Sequence, residues 1–77
     1  MKNDFMKDRD LALLSLDKKK IIEFMDKYEI KHSANNPIVF WAGVHKAIIQ
    51  LNSASKEQKY NSRYWLFSNG FKDTINL

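Results

Sequence analysis

The sequence predicts an all-α fold, a compact four-helix domain that spans residues 1–77 and has a central apolar third helix. Two Gly and one Pro leave few turn formers for an all-β protein, which needs a tight turn about every 8–12 residues. Ten aromatic residues and an apolar content of 44% supply enough core material to argue against disorder. A chain this short buries only about 60% of its unfolded surface, so a second domain is excluded.

The first two helices are predicted from their N-terminal residues and their apolar spacing. Asn3 or Asp4 opens the first helix, which is expected to end at Leu14, and Asp17 is a good N-cap for the second. The second helix has apolar residues at i, i+3, i+4 and i+7, a pattern that predicts one buried stripe: Ile21, Phe24, Met25 and Tyr28.

The third helix is predicted to begin at Pro37, because Asn36 before it is a good N-cap and Pro is favoured at the first helical position. Apolar residues lie on most of its circumference, so the other helices must pack against it on several sides. We therefore expect the second and fourth helices to pack around the third, with the first helix closing one side.

The fourth helix has a signal at each end. Ser55 and Gln58 have the spacing of a capping box, and Gly70 is placed to end the helix in the left-handed conformation. The motif that ends a helix in this way usually brings together two apolar residues, which here are Leu66 and Phe71. The inward stripe predicted from helical spacing is Tyr60, Tyr64 and Phe67.

The net charge of +4 is unevenly distributed along the chain. Residues 1–30 hold seven basic and seven acidic side chains, whereas residues 31–77 hold six basic and two acidic ones. All the excess positive charge therefore lies in the second half. This asymmetry favours an acidic partner, either nucleic acid or an acidic protein surface.

The sequence predicts no catalytic residue, no metal site and no cofactor. It has no Cys, no phosphate-binding Gly-rich loop and no catalytic His or Ser motif, and its two His are 13 residues apart. His32 and Ser33 are neighbours in a loop, where adjacent side chains seldom face each other. His45 lies on an apolar stripe, where a neutral imidazole with one hydrogen bond is the common outcome; a ligand or a pH sensor is the alternative.

The longest apolar stretch, residues 37–44, is far shorter than the roughly 20 residues that span a bilayer, and the N-terminus does not resemble a signal peptide. We therefore expect a cytoplasmic protein that has no membrane partner. The abundance of Lys and Asn indicates AT-rich coding sequence, which would suit an accessory protein of a bacterium or its phages.

The candidate partner-binding residues lie on the fourth helix. Lys56, Lys59 and Arg63 recur at i, i+3 and i+7 and form what we call the basic line, while Trp65 and Leu66 add an apolar patch. The alternative interpretation is that the basic line is a solvated face and that the aromatic residues only fill the core.

The function predicted from these residues is that of a small non-enzymatic protein-interaction module, a regulator or inhibitor that acts by binding a larger protein. The alternative is a nucleic-acid-binding domain that uses the basic line, with Tyr60, Tyr64 or Trp65 stacking on bases if they are exposed. A second basic cluster, Lys18 to Lys20, is the other place where phosphates could bind. The sequence predicts neither the identity of the partner nor the oligomeric state.

Overall fold

The computed structural model of the chain describes residues 2–33 and 35–71. These residues form four α-helices and no β-strand, which confirms the predicted all-α four-helix fold. The helices are α1 (Lys2–Ser15), α2 (Lys18–Lys27), α3 (Pro37–Gln50) and α4 (Lys56–Ser68). The C-terminal segment 72–77, for which the sequence made no prediction, lies outside the described residues.

The predicted N-caps of α2 and α3 are confirmed. A carboxylate oxygen of Asp17 accepts hydrogen bonds from the backbone N–H groups of Lys19 at 3.0 Å and Lys20 at 3.4 Å. Asn36 accepts one from the N–H of Val39 at 3.3 Å, with Pro37 in the first turn. Each cap satisfies backbone donors that have no partner within the helix, which is why the helices begin at these residues.

Helix α3 is central, as predicted, and the other three helices pack around it. Its closest backbone neighbours are α4 on one side and α1 on the other, and α1 also packs against α2. Side chains of α2 also pack against α3, as expected, because Ile21 and Phe24 share one buried cluster with residues of α3. Ala12 is small and buried, which lets α1 approach closely, whereas α2 reaches the core mainly through the longer side chains of Ile21 and Phe24.

The buried side chains form two clusters that meet along α3. The larger cluster joins α1 and α2 to one side of α3 and to the segment that follows it: Ala12, Leu13, Ile21, Phe24, Phe40, Val44, Ile48, Leu51 and Ala54. The smaller cluster joins the other side of α3 to α4 and consists of Ala42, Ile49 and Leu66, with Trp65 and Phe71 packed against it. The position of α4 therefore depends on the smaller cluster.

Helix α4 ends as predicted. Gly70 has a φ of 88°, the backbone N–H of Phe71 donates to the carbonyl of Leu66 at 2.8 Å, and the N–H of Gly70 donates to that of Phe67 at 3.2 Å. These two bonds define the Schellman motif, in which a residue with positive φ terminates the helix. Glycine fits this position because it has no Cβ to clash in the left-handed conformation.

Helix α2 ends in the same motif without a glycine. The N–H of Ile30 donates to the carbonyl of Met25 at 2.8 Å, and the N–H of Glu29 donates to that of Asp26 at 3.2 Å. Glu29 has a φ of 56°, where an L-residue with a Cβ is strained by about 1–2 kcal/mol. No glycine marks this helix end in the sequence, because Glu29 occupies the position of the positive φ.

The two motifs predict opposite effects of substitution. Glu29→Gly removes Cβ strain and should raise the free energy of unfolding by about 1 kcal/mol, while Gly70→Ala should lower it by about 1 kcal/mol. Urea unfolding followed by circular dichroism measures both changes. A loss of stability in both variants would show that strain at Glu29 is not relieved by glycine.

Candidate functional site

The candidate site is built on α4, whose start is fixed by its own sequence. The Ser55 hydroxyl accepts a hydrogen bond from the N–H of Gln58 at 3.0 Å, and the Gln58 side chain accepts one from the N–H of Ser55 at 2.8 Å. This reciprocal pair is the predicted capping box. The bounds of α4 thus follow from local residues at both ends, whereas its rotation about its own axis does not.

The face of α4 that packs on α3 differs from the predicted one. Leu66 is fully buried at 0% exposure and Ser62 at 2%, and these two residues contact α3 in place of the tyrosines. The Ser62 hydroxyl lies 2.8 Å from Nδ1 of His45 on α3, so this buried hydroxyl has a partner. A small residue at position 62 and a branched apolar residue at 66 allow close packing of the two helices.

Leu66 is therefore wrongly placed among the partner-binding residues. It lies at the centre of the α3–α4 contact, together with Ala42 and Ile49, and no partner can reach it without opening that contact. The Schellman motif explains its position, because Phe71 beyond the helix end packs back against the same cluster.

Trp65 is half-buried, and its side chain packs against neighbouring residues of the fold instead of lying free on the surface. Its ring stacks on His45 with centroids 4.7 Å apart and on Phe71 with centroids 6.2 Å apart. Lys46 Nζ lies 5.6 Å from the centroid of the Phe71 ring. Replacing Trp65 would therefore disturb the packing of α3 on α4 as well as any surface that its exposed edge provides.

The opposite face of α4 exposes three aromatic side chains. Tyr60 is 65% exposed, Tyr64 is 64% exposed and Phe67 is 54% exposed, so the prediction that they form the inward stripe is wrong. The spacing i, i+4, i+7 places all three on one side of the helix, and we call them the aromatic stripe. Their helical register was predicted, but they face away from α3.

The basic line lies along one flank of the aromatic stripe. Lys56 is exposed, while Lys59 and Arg63 are partly buried. None of the three forms an ion pair with a carboxylate among residues 2–33 and 35–71. The structure thus brings the three predicted basic residues together on the surface, and it places exposed aromatic rings beside them.

The buried titratable group of this region is His45, which is 7% exposed and lies between Trp41 and Trp65. Burial lowers the pKa of His45 below the ordinary value of 6.5, so the imidazole is neutral at pH 7. This confirms the expected buried histidine with one hydrogen bond. The serine that provides this bond, Ser62, was not predicted, because its recognition requires the relative placement of α3 and α4.

The remaining candidate groups lie elsewhere. Nε2 of His32 lies 3.1 Å from Oδ1 of Asp26 on α2. The cluster Lys18 to Lys20 occupies the first turn of α2, and Lys18 Nζ lies 5.5 Å from the centroid of the Phe40 ring. In the described part of the chain, no three His, Asp or Glu side chains lie together in a way that could hold a metal ion.

None of the family models, curated proteins or solved structures with which the chain was compared matches it. Among the helices described, none has the length and apolar character needed to cross a membrane.

The buried imidazole predicts a pH dependence of stability. Because the pKa of His45 is lowered in the folded state, its contribution to stability is fully present above the unfolded pKa of about 6.5 and is lost as the pH falls below it. Wild type should therefore become less stable between pH 7 and pH 5. His45→Gln retains a group that can bond to Ser62 but does not titrate, so its urea midpoint should change less over the same interval. Equal changes in the two proteins would contradict this assignment.

Proposed function

We propose that this protein is a non-enzymatic interaction module that acts in the cytoplasm by covering part of a larger protein with the exposed face of α4. The observation that supports this proposal is the aromatic stripe, three rings that are each more than half exposed on a helix whose other face is well packed. Contiguous exposed apolar patches mark interaction sites more often than scattered apolar residues do, and Tyr and Arg are enriched among the residues that dominate binding energy.

The basic line gives this surface a preferred partner. Arg63 and Lys59 are partly buried beside the stripe, so a partner that covers the rings also covers the stems of these two side chains. Charged groups at the rim of an interface mainly steer encounter and select against partners of like charge. We therefore propose an acidic surface on the partner.

A nucleic-acid-binding function is the second candidate, and the exposure of Tyr60 and Tyr64 favours it. Two exposed rings beside three cations are the combination on which single-stranded nucleic acid binds, since bases stack on rings and phosphates pair with the cations. Three phosphate contacts would give a slope of log K against log salt of about −2. An interface centred on aromatic side chains should respond less steeply to salt.

The protein-binding proposal is tested by removing the stripe without disturbing the core. Tyr64→Ala with Phe67→Ala should abolish retrieval of the partner in a pull-down from the native cell, while the free energy of unfolding changes by less than about 1 kcal/mol, because both side chains are exposed. Leu11→Ala on α1 is the matched control, since Leu11 is also an apolar residue with 65% exposure. Retention of the partner by the α4 variant would refute the placement of the surface.

Charge reversal tests the contribution of the basic line. Lys59→Glu with Arg63→Glu should abolish binding, whereas Lys18→Glu with Lys19→Glu, an equal change in net charge on α2, should have the smaller effect. Binding is measured by titration at several salt concentrations, and circular dichroism checks that both variants fold. If the α2 variant were the defective one, the surface would have to be assigned to α2.

A further inference from the structure

We propose that the partner contributes an acidic amphipathic helix that lies along α4, with its apolar side chains on the aromatic stripe and its carboxylates on the basic line. This inference rests on the proposed function and specifies the chemistry and conformation of the segment that binds.

The dimensions of the stripe fit a helix of about two to three turns. Tyr60, Tyr64 and Phe67 span seven residue steps of α4, which at about 1.5 Å per residue makes a stripe roughly 10 Å long and one side chain wide. Apolar side chains at i, i+4 and i+7 of a second helix form a ridge of the same length. The ridge of the second helix can pack into the grooves beside the stripe, as in other cases where an amphipathic helix binds an apolar surface.

The backbone of α4 favours a helical partner over an extended one. An extended segment that binds as an added strand needs a sheet edge, and the described part of the chain has no strand to provide one. An extended segment that lies on the aromatic rings forms no backbone hydrogen bonds with them, so the N–H and C=O groups that the rings cover would have no partners. A helix forms these hydrogen bonds internally, so it can cover the stripe without this penalty.

The flanks of the stripe differ in charge, which specifies where the carboxylates of the partner lie. On one flank, the residue nearest to Phe67 around the helix circumference is Lys56, and Arg63 and Lys59 lie farther round. On the other flank, Glu57 is the residue nearest to Tyr64. Carboxylates are therefore attracted to one flank of the docked helix and repelled from the other. Because reversing the direction of a docked helix exchanges its flanks, this asymmetry also selects one of its two directions along α4.

A second copy of the chain is a poor occupant of the same surface. Each α4 carries three basic residues and one acidic residue, the basic line and Glu57, so two paired α4 faces would each have an excess of positive charge and would repel each other. Nucleic acid satisfies the basic line but would have its phosphates beside Glu57 if it also covered Tyr64. An acidic helix satisfies both flanks because its carboxylates are confined to one of them.

The test uses a library of helical peptides, displayed on a fixed scaffold, in which the residues of one helix face are randomised. The full chain is the bait, and a Tyr64→Ser, Phe67→Ser variant removes peptides that bind elsewhere. We expect the selected peptides to have apolar residues at i, i+4 and i+7 and Asp or Glu on one flank. Replacing those acids with Gln or Asn in the best binder should weaken binding at least about tenfold at 50 mM salt, and circular dichroism should show a helical complex.

Several results would overturn the inference. The selected peptides could have neutral or basic flanks, or they could bind the stripe variant as tightly as wild type. A single-stranded dT20 oligonucleotide could bind more tightly than any peptide. Sedimentation could show a dimer of the wild-type protein that the stripe variant abolishes. The proposed function fails separately, when the partner from the native cell is retained by the Tyr64→Ala, Phe67→Ala variant. A partner that is lost with that variant but supplies no acidic helix would refute this inference alone.

Discussion

The hydrogen bond between His45 and Ser62 and the burial of Leu66 fix the rotation of α4 about its axis, and the surface of the protein depends on this rotation. Turning α4 by one residue position would separate Ser62 from the imidazole and leave a partly desolvated nitrogen without a partner, at about 1–3 kcal/mol. It would also expose Leu66, whose burial contributes about 1.5–3 kcal/mol. The aromatic stripe is exposed because the opposite face of α4 makes the better contact with α3.

The helix ends could be predicted from the sequence, because each depends on residues within one turn of the helix. Ser55 caps α4 and Gly70 terminates it through backbone geometry that is independent of the rest of the fold. The rotation of α4 could not be predicted in this way, since apolar spacing identifies a face but not what covers it. One local signal did point to the correct face, namely the expected contact between Leu66 and Phe71, which places Leu66 inside.

The same rotation gives α4 two separate roles. Its inner face stabilises the fold through a leucine and a hydrogen-bonded serine, and its outer face presents three rings with cations along one flank. Substitutions on the outer face can therefore change the chemistry of the surface while the core stays intact. The candidate site contains all three residues of the predicted basic line. Leu66 is not part of it because it is buried, and Trp65 is half-buried. The apolar part of the site is instead the aromatic stripe, whose residues were predicted to lie in the core.

The most direct test of this account compares the stability of two single variants on opposite faces of α4. Leu66→Ala should lower the free energy of unfolding by about 2–5 kcal/mol, because it leaves a cavity in the α3–α4 contact. Tyr64→Ala should change it by less than about 0.5 kcal/mol, as expected for an exposed side chain. Chemical unfolding of the two purified variants beside wild type measures both values. A large loss in Tyr64→Ala with little change in Leu66→Ala would show that α4 packs through the aromatic stripe, and would contradict the account.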